Sequence, residues 1–151
     1  MSCMFRIAGV SLNVDRLLSS VSLPATMSFG KGQPRNMLKK NRKRCRSSGA
    51  SFLVSDADFD QFEKQKKDAI SFLRTNKSVI LKIMNWPGVD RGCLDFGIER
   101  RTAAAQFDQF PAELLKLAGG LGIDIEISQY SNKEKMKANK AMVPNFQRGA
   151  R

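Results

Sequence analysis

Residues 93–130 are patterned as a strand, a helix and a second strand, and no other stretch constrains the fold as much. Leu94, Phe96 and Ile98 alternate with Asp95 and Gly97, and Ile123, Ile125 and Ile127 alternate with Asp124, Glu126 and Ser128. A period of two marks a strand with one buried face. Between them, over 110–121, Phe110, Leu114, Leu117, Ala118 and Leu121 recur at helical spacing. Pro111 suits the first helical turn, and Gly119, Gly120 and Gly122 suit the exit. Such a unit cannot bury its own faces, so the rest of the chain must supply more sheet.

The remaining segments are read accordingly. Residues 3–10 form a strand with Phe5 and Ile7 on one face, Arg6 on the other and Gly9 at a close backbone approach. Ser11 or Asn13 caps a short helix whose Leu12, Leu17, Leu18 and Val21 face inward. Residues 25–29 give a second strand, and Gly30 to Pro34 a turn. Residues 51–54 return as a strand. Ser55 to Asp58 resemble a capping box for a helix reaching about Arg74, with Phe59, Phe62, Lys66, Ala69, Ile70 and Leu73 on one stripe. Residues 78–84 read as a further strand, followed by a turn at Trp86, Pro87 and Gly88. The predicted fold class is α+β: a ferredoxin-like sandwich of three βαβ-type units, helices packed on a mainly antiparallel sheet. One domain covers 1–130. It carries a mobile basic loop at about 36–49, and 131–151 is a basic, largely disordered tail.

Composition excludes several functions. None of the 151 residues is histidine, which removes the commonest general base, the usual triads and most zinc sites. Cys3, Cys45 and Cys93 are odd in number and far apart, so a disulfide framework is not expected and a cytoplasmic setting is. No apolar run approaches the ~20 residues that span a bilayer, and no secretory signal is expected. Of the net charge of +12, residues 31–46 carry +8 and 131–151 carry +5, which leaves −1 for the body. Arguments about polyanions therefore belong to the two appendages.

A family resemblance rests on three stretches: Phe5 to Gly9 leading into Asn13, Val14 and Asp15; Gly30 to Arg35; and Leu114 and Leu115 ahead of Gly122 to Ser128 and Tyr130. Over roughly 3–130 the chain resembles a family of small bacterial α+β proteins catalogued only as a domain of unknown function. Some of its members are similar to immunity proteins that neutralise toxins. The resemblance implies no catalytic residue, and it covers neither the run at 39–46 nor the basic tail.

The sharpest candidate site is Lys31, Arg35, Lys39, Lys40, Arg42, Lys43, Arg44 and Arg46, eight cations without an acid. Phosphate backbones attract such clusters through counterion release. Phe29 offers a ring for a base, and Gly30 and Gly32 let a backbone approach. Lys133, Lys135, Lys137, Lys140, Arg148 and Arg151 form a secondary basic tail. Gly30-Lys31-Gly32 lacks the Gly-Lys-Ser/Thr ending of a phosphate loop and reads as a plain turn. Cys45 has cationic neighbours, but without a histidine to act as base it reads as an incidental thiol. Asp90, Asp95 and Glu99 read as surface ion pairs with Arg91, Arg100 and Arg101, and Asp124 and Glu126 as a solvated face or an acidic patch for a partner. Trp86 either anchors a partner or caps the core, and the sequence leaves both open.

The functional expectation is a non-enzymatic binding protein without catalytic residues, cofactor or metal. Its basic loop and tail would engage nucleic acid or another polyanion. The alternative is an immunity-type module binding a toxin or other protein partner.

Overall fold

The computed structural model describes residues 3–34, 44–101 and 104–131. The chain runs β1 (Cys3–Gly9), α1 (Val14–Ser19), β2 (Met27–Phe29), β3 (Ser48–Ser55), α2 (Phe62–Thr75), α3 (Lys77–Met84), β4 (Arg91–Arg100), α4 (Ala112–Gly120) and β5 (Asp124–Ser131). These elements make an α+β protein with one open sheet in the order β2-β3-β1-β4-β5. Every neighbouring pair is antiparallel except β4 and β5, which are parallel as a helical crossover requires. Among the described residues no helix is long and apolar enough to cross a membrane.

The unit β4-α4-β5 follows from its sequence. Leu94, Phe96 and Ile98 are buried. Gly122 ends α4 with φ +67°. Its N–H donates to the Gly119 carbonyl at 3.1 Å, and the Ile123 N–H donates to the Ala118 carbonyl at 2.9 Å. Those two bonds satisfy carbonyls that the helix end leaves open, and only a residue tolerant of positive φ forms them without strain. Leu114, Ala118 and Leu121 are buried and Leu117 only half-buried, so the stripe leans toward Leu114. Leu114→Ala should cost about 2–5 kcal/mol. Leu117→Ala should cost clearly less in the same urea titration, and equal costs would misplace the helix face.

Each of α1 to α4 contributes to one core. Leu17 of α1, Leu73 of α2, Ile80 and Ile83 of α3 and Leu114 of α4 join Phe5, Phe52 and Phe96 of the sheet in a single buried cluster. Phe5 stacks on Phe52 with ring centroids 5.6 Å apart, and Phe62 and Phe110 meet Phe96 edge-on at 5.8 and 5.1 Å. Asn13 caps α1, its Oδ1 accepting the Arg16 N–H at 3.0 Å. Lys66, on the stripe read for α2, is buried: its Nζ donates to Glu63 Oε1 at 2.7 Å and the Gln109 carbonyl at 2.8 Å, and lies 4.6 Å from the centre of the Phe62 ring.

Three expectations are corrected. Residues 78–84 are not a strand but lie within α3. The buried pair Ile80 and Ile83 has helical spacing, while Ser78, Leu81 and Lys82 are exposed. α2 begins at Phe62 and not at a capping box over 55–58. Ser55 ends β3 instead, and its Oγ donates to Asp68 Oδ2 at 2.5 Å, which together with Lys64 holds the Asp68 carboxyl below its usual range. Ser48 and Gly49, assigned to a loop, begin β3. The strand read from the alternation of Leu94, Phe96 and Ile98 runs on through Glu99 and Arg100.

Candidate polyanion interface

With the helices gathered on one side, alternation turns the other side of the sheet outward. The strand register sorts that open face into rows. Phe29, Gly49, Ala8 and Arg91 make one row. Met27, Ser51, Arg6, Cys93 and Asp124 make the next, and Leu53, Met4, Asp95 and Glu126 the third. The face is therefore bipolar, with a basic corner at Arg91 in the row of Phe29 and an acidic corner at Asp95, Asp124 and Glu126 of β4 and β5.

The basic corner holds a groove of about 860 Å³. Ala8, Met27, Phe29 and Arg91 line it from the sheet, and Pro34 and residues 44–47 line it from the connection between β2 and β3. That connection is pinned at its base. The Cys45 N–H donates to the Gln33 carbonyl and the Gly32 N–H to the Cys45 carbonyl, both at 2.8 Å. Pro34 and Arg44 form an antiparallel bridge, and Arg44 Nη1 donates to the Gly32 carbonyl at 2.9 Å. Gly32 has φ +83°, which this tight reversal needs. Arg44, Arg46 and Arg91 are all exposed, and among the described residues none of them pairs with a carboxylate. Phe29 lies against Gly49, where an added Cβ would come 2.7 Å from the ring.

The acidic corner is organised differently. Asp95 is 3% exposed, ion-paired to Arg6 and bonded by Ser128 Oγ at 2.7 Å. The Arg6 side chain is 44% exposed. That asymmetry sets an expectation. Arg6→Met should cost about 3 kcal/mol, because it leaves a buried carboxylate without its cation. Asp95→Asn should cost about 1 kcal/mol, because a half-exposed guanidinium regains water. Equal losses of urea midpoint would contradict it. The Cys93 thiol is pushed up to about 11 by burial and by the Glu126 carboxylate, whose Oε2 it meets at 3.7 Å. Both effects disfavour the thiolate that a nucleophilic cysteine needs.

Of the predicted polyanion site, Lys31, Arg44 and Arg46 fall on the described connection, and Arg44 and Arg46 line the groove. Lys31 is exposed on the same turn, its N–H held by Ser48 Oγ at 3.0 Å. Arg35, Lys39, Lys40, Arg42 and Lys43 lie outside the described residues, as does the whole basic tail from Lys133 to Arg151. Sequence reasoning missed Arg91, which it grouped with the acids. Asp90, Asp95 and Glu99 do not converge: Asp90 Oδ2 accepts the Val10 N–H at 2.7 Å, while Asp95 turns to Arg6. Among the described residues no acid or cysteine cluster could hold a metal ion. Gly30 to Gln33 form a plain turn closed by the Gln33 N–H on the Gly30 carbonyl at 3.1 Å. Trp86 is half-buried against the core.

No family model, no curated protein and no solved structure matches the chain.

Proposed function

We propose that the chain is a non-enzymatic binding protein that engages an anionic partner, nucleic acid or a nucleoprotein, through its basic connection and tail. The observation that carries this reading is the groove, where Arg44, Arg46 and Arg91 converge beside an aromatic ring with no carboxylate among the described lining residues. Residues 35–43 add five further cations to the sequence, and the residues on either side of them, Pro34 and Arg44, bridge each other in the groove lining. Such a local excess of positive charge lowers the free energy of a phosphate backbone and releases its counterions. The unpaired thiols of Cys3, Cys45 and Cys93 fit a cytoplasmic setting.

For the frame we favour a ferredoxin-like reading. The order β1-α1-β2-β3-α2-α3-β4, with β1 seated between β3 and β4, supports it once α2 and α3 are taken as one crossover, and α4 and β5 extend it by another βαβ-type unit. The resemblance to immunity-like proteins supports a second reading, a protein-interaction module. The exposed Leu53 and Tyr130, on the same open face as Asp124 and Glu126, favour it. Salt separates the two. Binding to duplex and single-stranded nucleic acid should weaken steeply as salt rises, whereas a protein interface with an apolar centre should hardly respond.

A further inference from the structure

Resting on the polyanion reading, we propose that the groove takes a single strand, with one unpaired base on Phe29 and its flanking phosphates on Arg91, Arg44 and Arg46. Phe29 is a large aromatic side chain that the core does not use. It stands outside the buried cluster, half-exposed, and among the described residues it has no aromatic partner. Its seat is Gly49, the one residue type that leaves room for the ring against the sheet. Met27, 63% exposed in the next row of the same strand, continues the apolar floor.

The cations flank this floor on both sides. Arg91 rises from β4, across β3 and β1 from Phe29, and Arg44 and Arg46 come from the connection. Charge alone would bind any polyanion. A ring set among the charges adds a term that only a nucleobase can satisfy, and only when its face is free of a stacked neighbour. A paired and stacked duplex offers phosphates but no such face.

The test measures the affinity of the intact chain for oligodeoxythymidylate, for a blunt duplex and for inorganic polyphosphate of matched charge. The intact chain should hold oligodeoxythymidylate at least tenfold tighter than polyphosphate. Phe29→Leu should weaken the single strand by roughly 5- to 100-fold and leave polyphosphate unchanged. Phe29→Trp should retain the affinity and show quenched emission on binding. Melting temperatures of both variants, kept at the intact value, exclude unfolding as the cause. If Phe29→Leu weakens all three ligands alike, or none, or if the duplex binds as well as the single strand, the inference is overturned while the polyanion reading stands. If no polyanion binds at all, both fall.

Discussion

Gly9→Val should destabilise the protein by about 3 kcal/mol or more, among the largest effects of any single substitution. Gly9 closes β1, the strand paired on both sides. A Cβ there would lie 1.6 Å from the Gly88 carbonyl oxygen, which is backbone and cannot rotate away. Gly88 cannot retreat, since its own Cα faces the Ser11 and Leu12 backbone, where a Cβ would come to 2.8 Å. Its φ of +87° fixes the turn after α3. The substitution must therefore separate that turn from β1. It would strain two further contacts, the Asp90 N–H on the Ala8 carbonyl at 3.0 Å and the Asp90 carboxylate on the Val10 N–H. Gly119→Ala is the matched control. Nothing lies within 4 Å of its added Cβ, and alanine favours a helix interior by up to about 1 kcal/mol. Urea unfolding should move the two midpoints in opposite directions at unchanged slope. A Gly9→Val chain as stable as the intact one would refute the packing at this end of the sheet.

That close approach was legible in part, because glycine within an alternating strand already marks a place where another backbone comes near. The unit β4-α4-β5 was legible for a stronger reason. Its alternation, its Pro111 entry and its Gly122 exit all specify the same local structure. α3 was not. Its run Val79-Ile80-Leu81-Lys82-Ile83-Met84 is short and nearly all apolar, and periodicity cannot separate a short buried helix from a strand in such a run. The start of α2 was misjudged because the Ser55 hydroxyl donates to Asp68 and accepts the Ala57 N–H at 3.2 Å, while the Asp58 N–H that a capping box would bring to it goes to Gln61 Oε1 at 3.0 Å. The groove was half legible. A run of cations is visible in any sequence, so Arg44 and Arg46 were found. Arg91 joins them only because β1 lies between β3 and β4 and the register aligns Ala8 with both Gly49 and Arg91. Phe29 was legible with Arg44 and Arg46, and the pairing of β2 on β3 sets it in the row of Arg91. Sites assembled across strands are written in the topology and not in neighbouring letters.

The central claim is that phosphate affinity resides in the basic connection. Apart from the two basic segments the chain carries −1, so the rest of the protein has no net attraction for phosphates. Changing Lys39, Lys40, Arg42, Lys43, Arg44 and Arg46 together to glutamine should flatten the slope of log affinity against log salt on a duplex by about five units, at about 0.9 per phosphate contact. Fewer contacts give a smaller change of the same sign. Arg91→Gln alone should flatten it by about one unit. Arg44 and Arg46 are exposed, so their replacement should leave the melting temperature close to that of the intact chain. Deleting 132–151 should produce a smaller change in slope than the sixfold substitution. The most direct measurement is nucleic-acid binding by the intact and sixfold-substituted chains across one salt series. The account predicts tight, strongly salt-dependent binding by the intact chain and weaker binding, with a slope flatter by about five units, from the substituted one. Absence of binding by the intact chain even at low salt, or identical slopes for the two, would contradict it.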